Sequence, residues 1–328
     1  MRTLLAWLLV VLLSGCASGR FDFALVGDQQ YDAESEAQFP RLLADIDRAE
    51  VHFVVHVGDF KPGTTVPCTD ELLRGRKAQL DASRHPLIYT PGDNDWTDCH
   101  NPKAGGYVPE ERLSALRRIF FSEKLSLGRR KLELEQQAAF PENLRWRRAG
   151  VVFLTLHLVG SNNNLGRSAE GDAEYRARME ANLAWMREAF ELAKRDTAAA
   201  VAIFTHANPR FERATPGGRT GSLGIAPPPK TPSGYIEFVP ELEKAVVEFG
   251  KPVLFLHGDT HYFRVDRPLF RAGVFGGGDR GRQVENFTRV EVHGYPEAHW
   301  LRVSVDPRQP SVFSFTEQIV PVNVYRKP

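Results

Sequence analysis

Val253-Leu254-Phe255-Leu256-His257-Gly258-Asp259-Thr260-His261 sets a short apolar run directly against a polar cluster that carries a carboxylate and imidazoles. A run of this length, rich in large apolar residues and stopped by Gly, reads as a buried β-strand. The same arrangement recurs upstream. Phe23 to Val26 ends in Gly27-Asp28-Gln29-Gln30, Phe53 to Val57 in Gly58-Asp59, Leu87 to Thr90 in Pro91-Gly92-Asp93-Asn94-Asp95, and Ala202 to Thr205 in His206-Ala207-Asn208. All five clusters stand at the carboxyl ends of strand candidates, the edge at which layered α/β folds bind ligands. A single Asp after Gly is usually a turn residue or a helix N-cap. Five clusters in one chain point instead to a shared cavity.

Around these stretches the chain alternates. Strand candidates lie at Phe21 to Val26, His52 to Val57, Pro86 to Thr90, Val151 to Val159, Val201 to Thr205 and Pro252 to Leu256. Helical periodicity marks Phe39 to Ala49, Glu110 to Lys124 and Ala173 to Arg195, where Met179, Leu183, Met186, Phe190 and Leu192 recur at about one-turn spacing. Alternation of this kind predicts an α/β fold. After Phe270 three further β-like segments, Thr288 to Val292, His299 to Val305 and Val312 to Phe315, are expected to complete a second sheet. The Gly- and Pro-rich stretch Ala214 to Gly234 reads as a long loop. No repeat or linker divides the chain, so one domain is expected over residues 21–328.

Several carboxylates in one pocket repel each other, and without a cation some must take up protons. Metal ions remove that penalty. Oxygen and imidazole donors without thiolate suit Mn, Fe, Zn or Mg. Two such ions about 4 Å apart can clamp a phosphate and activate a water for in-line attack, so the expected reaction is phosphoester hydrolysis.

The order and spacing of the clusters resemble the calcineurin-like metallophosphoesterases, whose pattern is DxH, GD, GNH followed by an acid, a lone His after a strand, and GHxH. The resemblance runs from Asp28 to His261 and implies a four-layer α/β/β/α sandwich with two central mixed sheets. It also implies a dinuclear site. By this mapping one ion would see Asp28, Gln30, Asp59 and His261, and the other Asp59, Asp93, His206 and Asp259. Asn94 and Asp95 fall where the family has its catalytic His and the following acid, and with His206 they form the implied catalytic set. Gln30 stands in place of a His, Asp93 in place of an Asn, and Asp259 in place of a His. Four carboxylate ligands should favour Mn, Fe or Mg over Zn. An amide at Asn94 hydrogen-bonds but cannot protonate a leaving group, which keeps a second reading open: a catalytically impaired metal-binding protein that holds a phosphorylated ligand without turnover. His100 is a candidate replacement. Asn162 and Asn163 within Ser161-Asn162-Asn163-Asn164, together with Asn208 and Arg210, are candidate substrate contacts, as is Arg213. His257 reads as a satisfied strand-end residue.

At the N-terminus Arg2 precedes the apolar run Leu4 to Leu13 and then Ser14-Gly15-Cys16. The run is too short to span a bilayer, which takes about 20 residues, and reads as an export signal. Leu13-Ser14-Gly15-Cys16 resembles the bacterial lipoprotein processing box. This implies a signal peptide over 1–15, acylation of Cys16, a short linker over 16–20 and a lipid-anchored protein on the periplasmic or cell-surface face of a bacterial envelope. Cys68 and Cys99 then remain as an even pair in an oxidising compartment and are expected to form a disulfide. A formal charge of +1 recruits neither nucleic acid nor an anionic surface. The expected partners are a small phosphorylated substrate and the membrane that holds the anchor. No GxSxG elbow supports a serine hydrolase.

Overall fold

A computed structural model describes residues 19–211, 232–271 and 281–324. Two mixed sheets lie face to face. The first has the order β12-β11-β1-β2-β3, with β1 (Phe21–Val26), β2 (Val54–His56) and β3 (Leu87–Tyr89) parallel, and β11 (Trp300–Val305) and β12 (Phe313–Gln318) antiparallel. The second has the order β4-β5-β6-β7-β8-β10-β9. Here β6 (Val151–Thr155), β7 (Ala200–Phe204), β8 (Val253–His257) and β10 (Phe287–Glu291) are parallel, flanked by the antiparallel β4 (Glu135–Gln137), β5 (Phe140–Arg148) and β9 (Arg264–Asp266).

The period of two along each strand sorts side chains into layers. Phe153, Ala202, Phe204, Leu254 and Leu256 face the first sheet and share a core with Phe21, Phe23 and Phe53. Their neighbours Val152, Leu154, Val201, Ile203, Val253 and Phe255 face the other way. There they meet helices α4 (Ala169–Arg195) and α5 (Phe238–Phe249), which supply Met179, Leu183, Met186, Phe190, Leu242 and Val246. On the outer side of the first sheet, α1 (Ala33–Arg48) buries Phe39, Leu42, Leu43 and Ile46, one face of a 3.6-residue repeat. With α2 (Asp70–Asp81) and α3 (Pro109–Phe120) the order of layers is α/β/β/α. Between the sheets runs an aromatic layer. Phe23 stacks on Phe53 at 4.9 Å, Phe53 meets Phe153 at 5.5 Å and Trp146 at 5.6 Å, and Phe23 meets Phe204 at 5.7 Å.

Helix starts are chemically marked. Asp32 caps α1 in a reciprocal capping box with Ser35, Thr69 Oγ1 accepts from Leu72 N at α2, and Ser168 caps α4.

The C-terminal segments depart from expectation. Thr288 to Val292 joins the second sheet as β10, but the other two become β11 and β12 of the first sheet, with β11 running antiparallel to β1 from Phe21↔Val305 to Leu25↔Leu301. The β4–β5 hairpin and α2 were not expected. Arg145, Arg147 and Arg148 on β5, and the charge-rich face of α2, mask their periodicity. Among the described residues no helix is long and apolar enough to cross a membrane. Cys16 lies outside the described residues, as does nearly all of Ala214 to Gly234.

Candidate metal centre

Parallel register aligns the carboxyl ends of β1, β2 and β3 at Val26↔His56↔Tyr89, and those of β7 and β8 at Phe204↔Leu256. The loops beyond these ends meet between the sheets. Asp28, Asp59 and His206 each place a ligand atom within 4.8 Å of the others, and Asp93, His206 and Asp259 do the same. His206 is the hub, its Nε2 lying 2.9 Å from Asp93 Oδ1, 3.5 Å from Asp59 Oδ1 and 3.9 Å from Asp259 Oδ1. His261 Nε2 sits 3.5 Å from Asp28 Oδ1. Asp28, Asp59, Asp93, His206, Asp259 and His261 are therefore brought together.

Local backbone geometry aims these groups. Asp28, Asp59, Asp259 and His261 all have left-handed φ, between 54° and 80°, a conformation that non-glycine residues adopt at an energetic cost and that clusters at functional sites. A Cβ on Gly160 would run into the carboxylates of Asp93 and Asp259, and one on Gly258 into Asp28. Glycine is what lets the chain pass this close. His206 Nδ1 donates to Val57 O at 2.8 Å and His261 Nδ1 to Tyr295 O at 3.0 Å. In both rings the outer nitrogen is thereby turned toward the carboxylates, the support that metal-bound histidines receive.

Burial pushes Asp59 well above the ordinary carboxylate range, Asp93 and Asp95 adding to it while His206 opposes. Burial, with the Asp93 charge, lifts Asp259 to about 7. Asp93 itself is held low, because the hydrogen bond and charge of His206 outweigh its burial. His206 is correspondingly raised against its own burial, by Asp59, Asp93 and Asp28. Buried carboxylates around an imidazole whose Nδ1 proton is already committed need extra protons or cations. The oxygen and imidazole donors fit hard or borderline divalent ions.

Asp95 stands apart from the implied catalytic set. It is fully buried, and its carboxylate accepts from Asp59 N, Phe60 N, Gly92 N and the Tyr89 hydroxyl at 2.7 to 3.1 Å. It holds loops together. Asn94 borders the cluster, its N–H donating to Asp59 Oδ1 at 3.0 Å and its amide to the Tyr31 hydroxyl at 3.1 Å. Gln30, expected as a ligand of the first ion, sends its Nε2 toward α1 and α2, donating to Glu36 Oε2 and Gln79 Oε1, both at 3.0 Å, while its Oε1 is buried without a hydrogen-bond partner. Tyr31, one residue on, also reaches the cluster, its hydroxyl 2.8 Å from Asp59 Oδ2, and sequence reasoning missed it.

Asn162 and Asn163 turn their side chains to neighbouring loop groups. Residues 161–164 form a single left-handed turn, which strands peptide groups that short polar side chains then satisfy. Asn163 is buried, accepting from Arg178 Nη1 and Val159 N and donating to Gly234 O. Asn162 bonds Leu165 O, Pro232 O and Gly234 N. The residue of this run that does face the cluster is Ser161, its Oγ 2.8 Å from Asp93 Oδ2 and 2.7 Å from Asp98 Oδ1. Asn208 contributes its backbone, the N–H donating to Asp259 Oδ2, while its side chain accepts from Arg210 N and Arg289. Arg210 is exposed just beyond. His100 is exposed and bonds Thr97 O. His257 is buried and only half satisfied: its Nδ1 donates to Gly258 O at 2.7 Å, while its Nε2 has no hydrogen-bond partner and lies 3.9 Å from Glu291 Oε2. Arg213 lies outside the described residues.

A second residue that sequence reasoning missed is Lys61. Its fully buried ammonium donates to Pro62 O at 2.7 Å and Asn94 O at 2.9 Å, close to the acids of the cluster. Cys68 and Cys99 are bonded, with Cα atoms 5.7 Å apart, and tie the segment after β2 to the short 3₁₀ turn Thr97–His100 after Asp95.

No family model matches this chain, and no curated protein matches it. Solved structures do. A dimetal phosphatase from Danio rerio aligns with 11% identity over 92% of this chain and 96% of that one, with a TM-score of 0.49. GAP50, the anchor in the inner membrane complex of Plasmodium, aligns with 10% identity over 92% and 89%, with a TM-score of 0.48. A Thermus thermophilus protein, TT1561, aligns with 10% identity over 92% and 100%, with a TM-score of 0.43.

Proposed function

We propose that this chain is a metal-dependent phosphoester hydrolase of the calcineurin-like type with a dinuclear centre. One observation carries the reading: two carboxylate–imidazole groups, Asp28–Asp59–His206 and Asp93–His206–Asp259, overlap in one buried cluster at strand ends. Asp28, Asp59 and His261 would hold one ion, and Asp59, Asp93, His206 and Asp259 the other. Two divalent ions bound there would clamp phosphate oxygens and supply an activated water for in-line attack at phosphorus. Four carboxylates offset the charge of two such ions, which favours Mn, Fe or Mg over Zn.

The chain's own groups divide the remaining work. His206 and His261, each fixed through Nδ1, keep their orientation without reorganising during the reaction. Arg210, exposed past Asn208, is suited to hold a phosphoryl oxygen of a small substrate. Asn94 orients but does not protonate, which favours substrates whose leaving group departs unassisted. The same residue supports the second reading, ligand binding without turnover. Export and lipid anchoring at Cys16 in a bacterial envelope complete the proposal, and the Cys68–Cys99 bond agrees with an oxidising compartment.

The test is hydrolysis of aryl phosphate mono- and diesters by protein reconstituted with Mn²⁺, beside an Asp59→Asn variant. The hydrolase reading expects at least a hundredfold loss of kcat/KM, about 2.7 kcal/mol. Equal rates in the two proteins would remove it. A wild type that binds Mn²⁺ but turns over no ester would leave the binding protein.

A further inference from the structure

We propose that the end of the molecule opposite the metal cluster, where Arg20, Arg84, Arg129, Arg130 and Arg148 surround the start of β1, docks against an anionic lipid surface; this rests on the anchoring at Cys16 proposed above. The formal charge of +1 conceals an uneven distribution. Asp28, Asp59, Asp93 and Asp259 gather beyond the carboxyl ends of the strands, and these arginines gather at the other ends. The β5–β6 hairpin closes through Ala149 and Gly150, both left-handed, and carries Arg148 beside its tip, over the Phe21 ring at 5.2 Å. Leu127 pairs with Leu87 at the start of β3, and Arg129 N donates to Ser83 O at 2.8 Å, which brings Arg129 and Arg130 to the same end as Arg84. The two histidines of this end register that crowding. Burial lowers His52, whose ring meets Phe21 at 5.4 Å, and the charges of Arg148 and Arg130 add to it. Burial likewise lowers His85, where Arg84 and Arg130 act against Asp47.

All five arginines are exposed, and none forms an ion pair among the described residues. The neighbouring acids are spent elsewhere: Asp22 on Arg302, Asp81 on Lys77 and Lys131, Asp196 on Arg147 and Asp306 on Arg308. Asp47, which accepts from Arg84 N, and Glu50 oppose the five arginines, so positive charge prevails. The path of the chain selects a membrane as the partner. Cys16 lies five residues before Phe21, so at about 3.5 Å per residue an acylated Cys16 stays within about 17 Å of it. Acylation therefore brings this end, not the metal end, to the headgroups, where exposed charges act over about 10 Å. The six residues of β1, at about 3.3 Å each, then set the Asp28 loop about 20 Å further out. Lipid holds the protein, the arginines orient it, and the metal cluster is presented to water-borne phosphoesters.

The experiment uses the unacylated chain 17–328, which contains every described residue. It is sedimented with vesicles of phosphatidylcholine alone and with about 30 mol% phosphatidylglycerol, where each basic residue near the surface contributes roughly fivefold to binding. Wild type is expected to bind the anionic vesicles and to leave them at about 0.5 M salt. Arg130→Glu/Arg148→Glu is expected to bind at least about tenfold more weakly, and Arg130→Lys/Arg148→Lys as wild type. Arg176→Glu/Lys244→Glu, exposed on α4 and α5, makes the same change in total charge and is expected to cost at most about threefold. If Arg148→Glu lowers the urea midpoint by disturbing Phe21, Arg129→Glu/Arg130→Glu replaces it. Binding that needs no phosphatidylglycerol, that survives high salt, or that falls equally in both Glu pairs overturns the docking face. The mass of the Cys16 peptide from the full chain made in bacteria tests the anchoring separately. Acylated Cys16 without phosphatidylglycerol-dependent binding overturns the docking face and leaves the anchoring; unmodified Cys16 with such binding removes the anchoring and supports the face.

Discussion

The carboxylate of Asp95 accepts the backbone N–H of Asp59 at 3.0 Å, so that one buried acid positions another. The same carboxylate takes Phe60 N, Gly92 N and the Tyr89 hydroxyl. Replacing it by Ala strands four buried donors, and the expected loss of stability is about 3 to 5 kcal/mol. Asp95→Asn keeps one acceptor oxygen and should recover part of that. Urea unfolding of the two variants checks this, and an Asp95→Ala protein as stable as wild type would contradict it.

Metal removal should make stability pH-dependent. Asp259, lifted by burial to about 7 from an ordinary 3.8, contributes stability that is fully present below 3.8 and lost as pH rises through about 7. In chelator the melting temperature is therefore expected to fall between pH 5 and pH 8, and Asp259→Asn to resist that fall. Mn²⁺ at about a thousandfold over its Kd should restore about 4 kcal/mol to the wild type. Thermal melts that ignore both chelator and Mn²⁺ would be inconsistent with a cation site.

His56 works in the opposite sense. Buried beside Phe39 and Tyr89, it is lowered by desolvation from 6.5 to about 4 and accepts from Gly58 N through Nδ1. A depressed imidazole contributes stability that is present above 6.5 and lost as pH falls toward 4, at up to about 1.4 kcal/mol per pH unit. His56→Asn keeps an acceptor for Gly58 and does not titrate. The stability difference between variant and wild type should shift in favour of the variant across that window, which separates His56 from Asp259.

Opening the Cys68–Cys99 bond, which closes a separation of 31 residues, should cost about 3 to 4 kcal/mol through the freed chain. A Cys68→Ser/Cys99→Ser double variant measures it in denaturant. Because the bond ties the segment after Asp59 to the turn after Asp95, weaker Mn²⁺ binding should accompany the loss.

Asp28, Asp59, Asp93, His206, Asp259 and His261 were readable because strands end abruptly in polar residues, and parallel register carries those ends to one edge. What followed each strand was harder. That the Tyr31 hydroxyl reaches Asp59 while Gln30 Nε2 turns to Glu36 and Gln79 is a property of the folded loop that residue type does not declare. Asn162 and Asn163 look like ligand contacts in sequence, yet a left-handed turn needs their amides for its own peptides. The assignment of β11 to the first sheet was hidden for another reason: His299 to Val305 is apolar enough for either sheet, and only its pairing with β1 decides.

The aromatic layer of Phe23, Phe53, Trp146, Phe153 and Phe204 has a consequence beyond cohesion. Asp28, Asp59 and Asp93 ride on one sheet, whereas His206, Asp259 and His261 ride on the other, so the donor set exists only while the two halves keep their mutual offset. Cation affinity is in that sense a vernier for how the sheets are seated. Trimming a ring such as Phe153 to Leu, with every donor intact, should be felt as weaker ion capture at the far end of the seam.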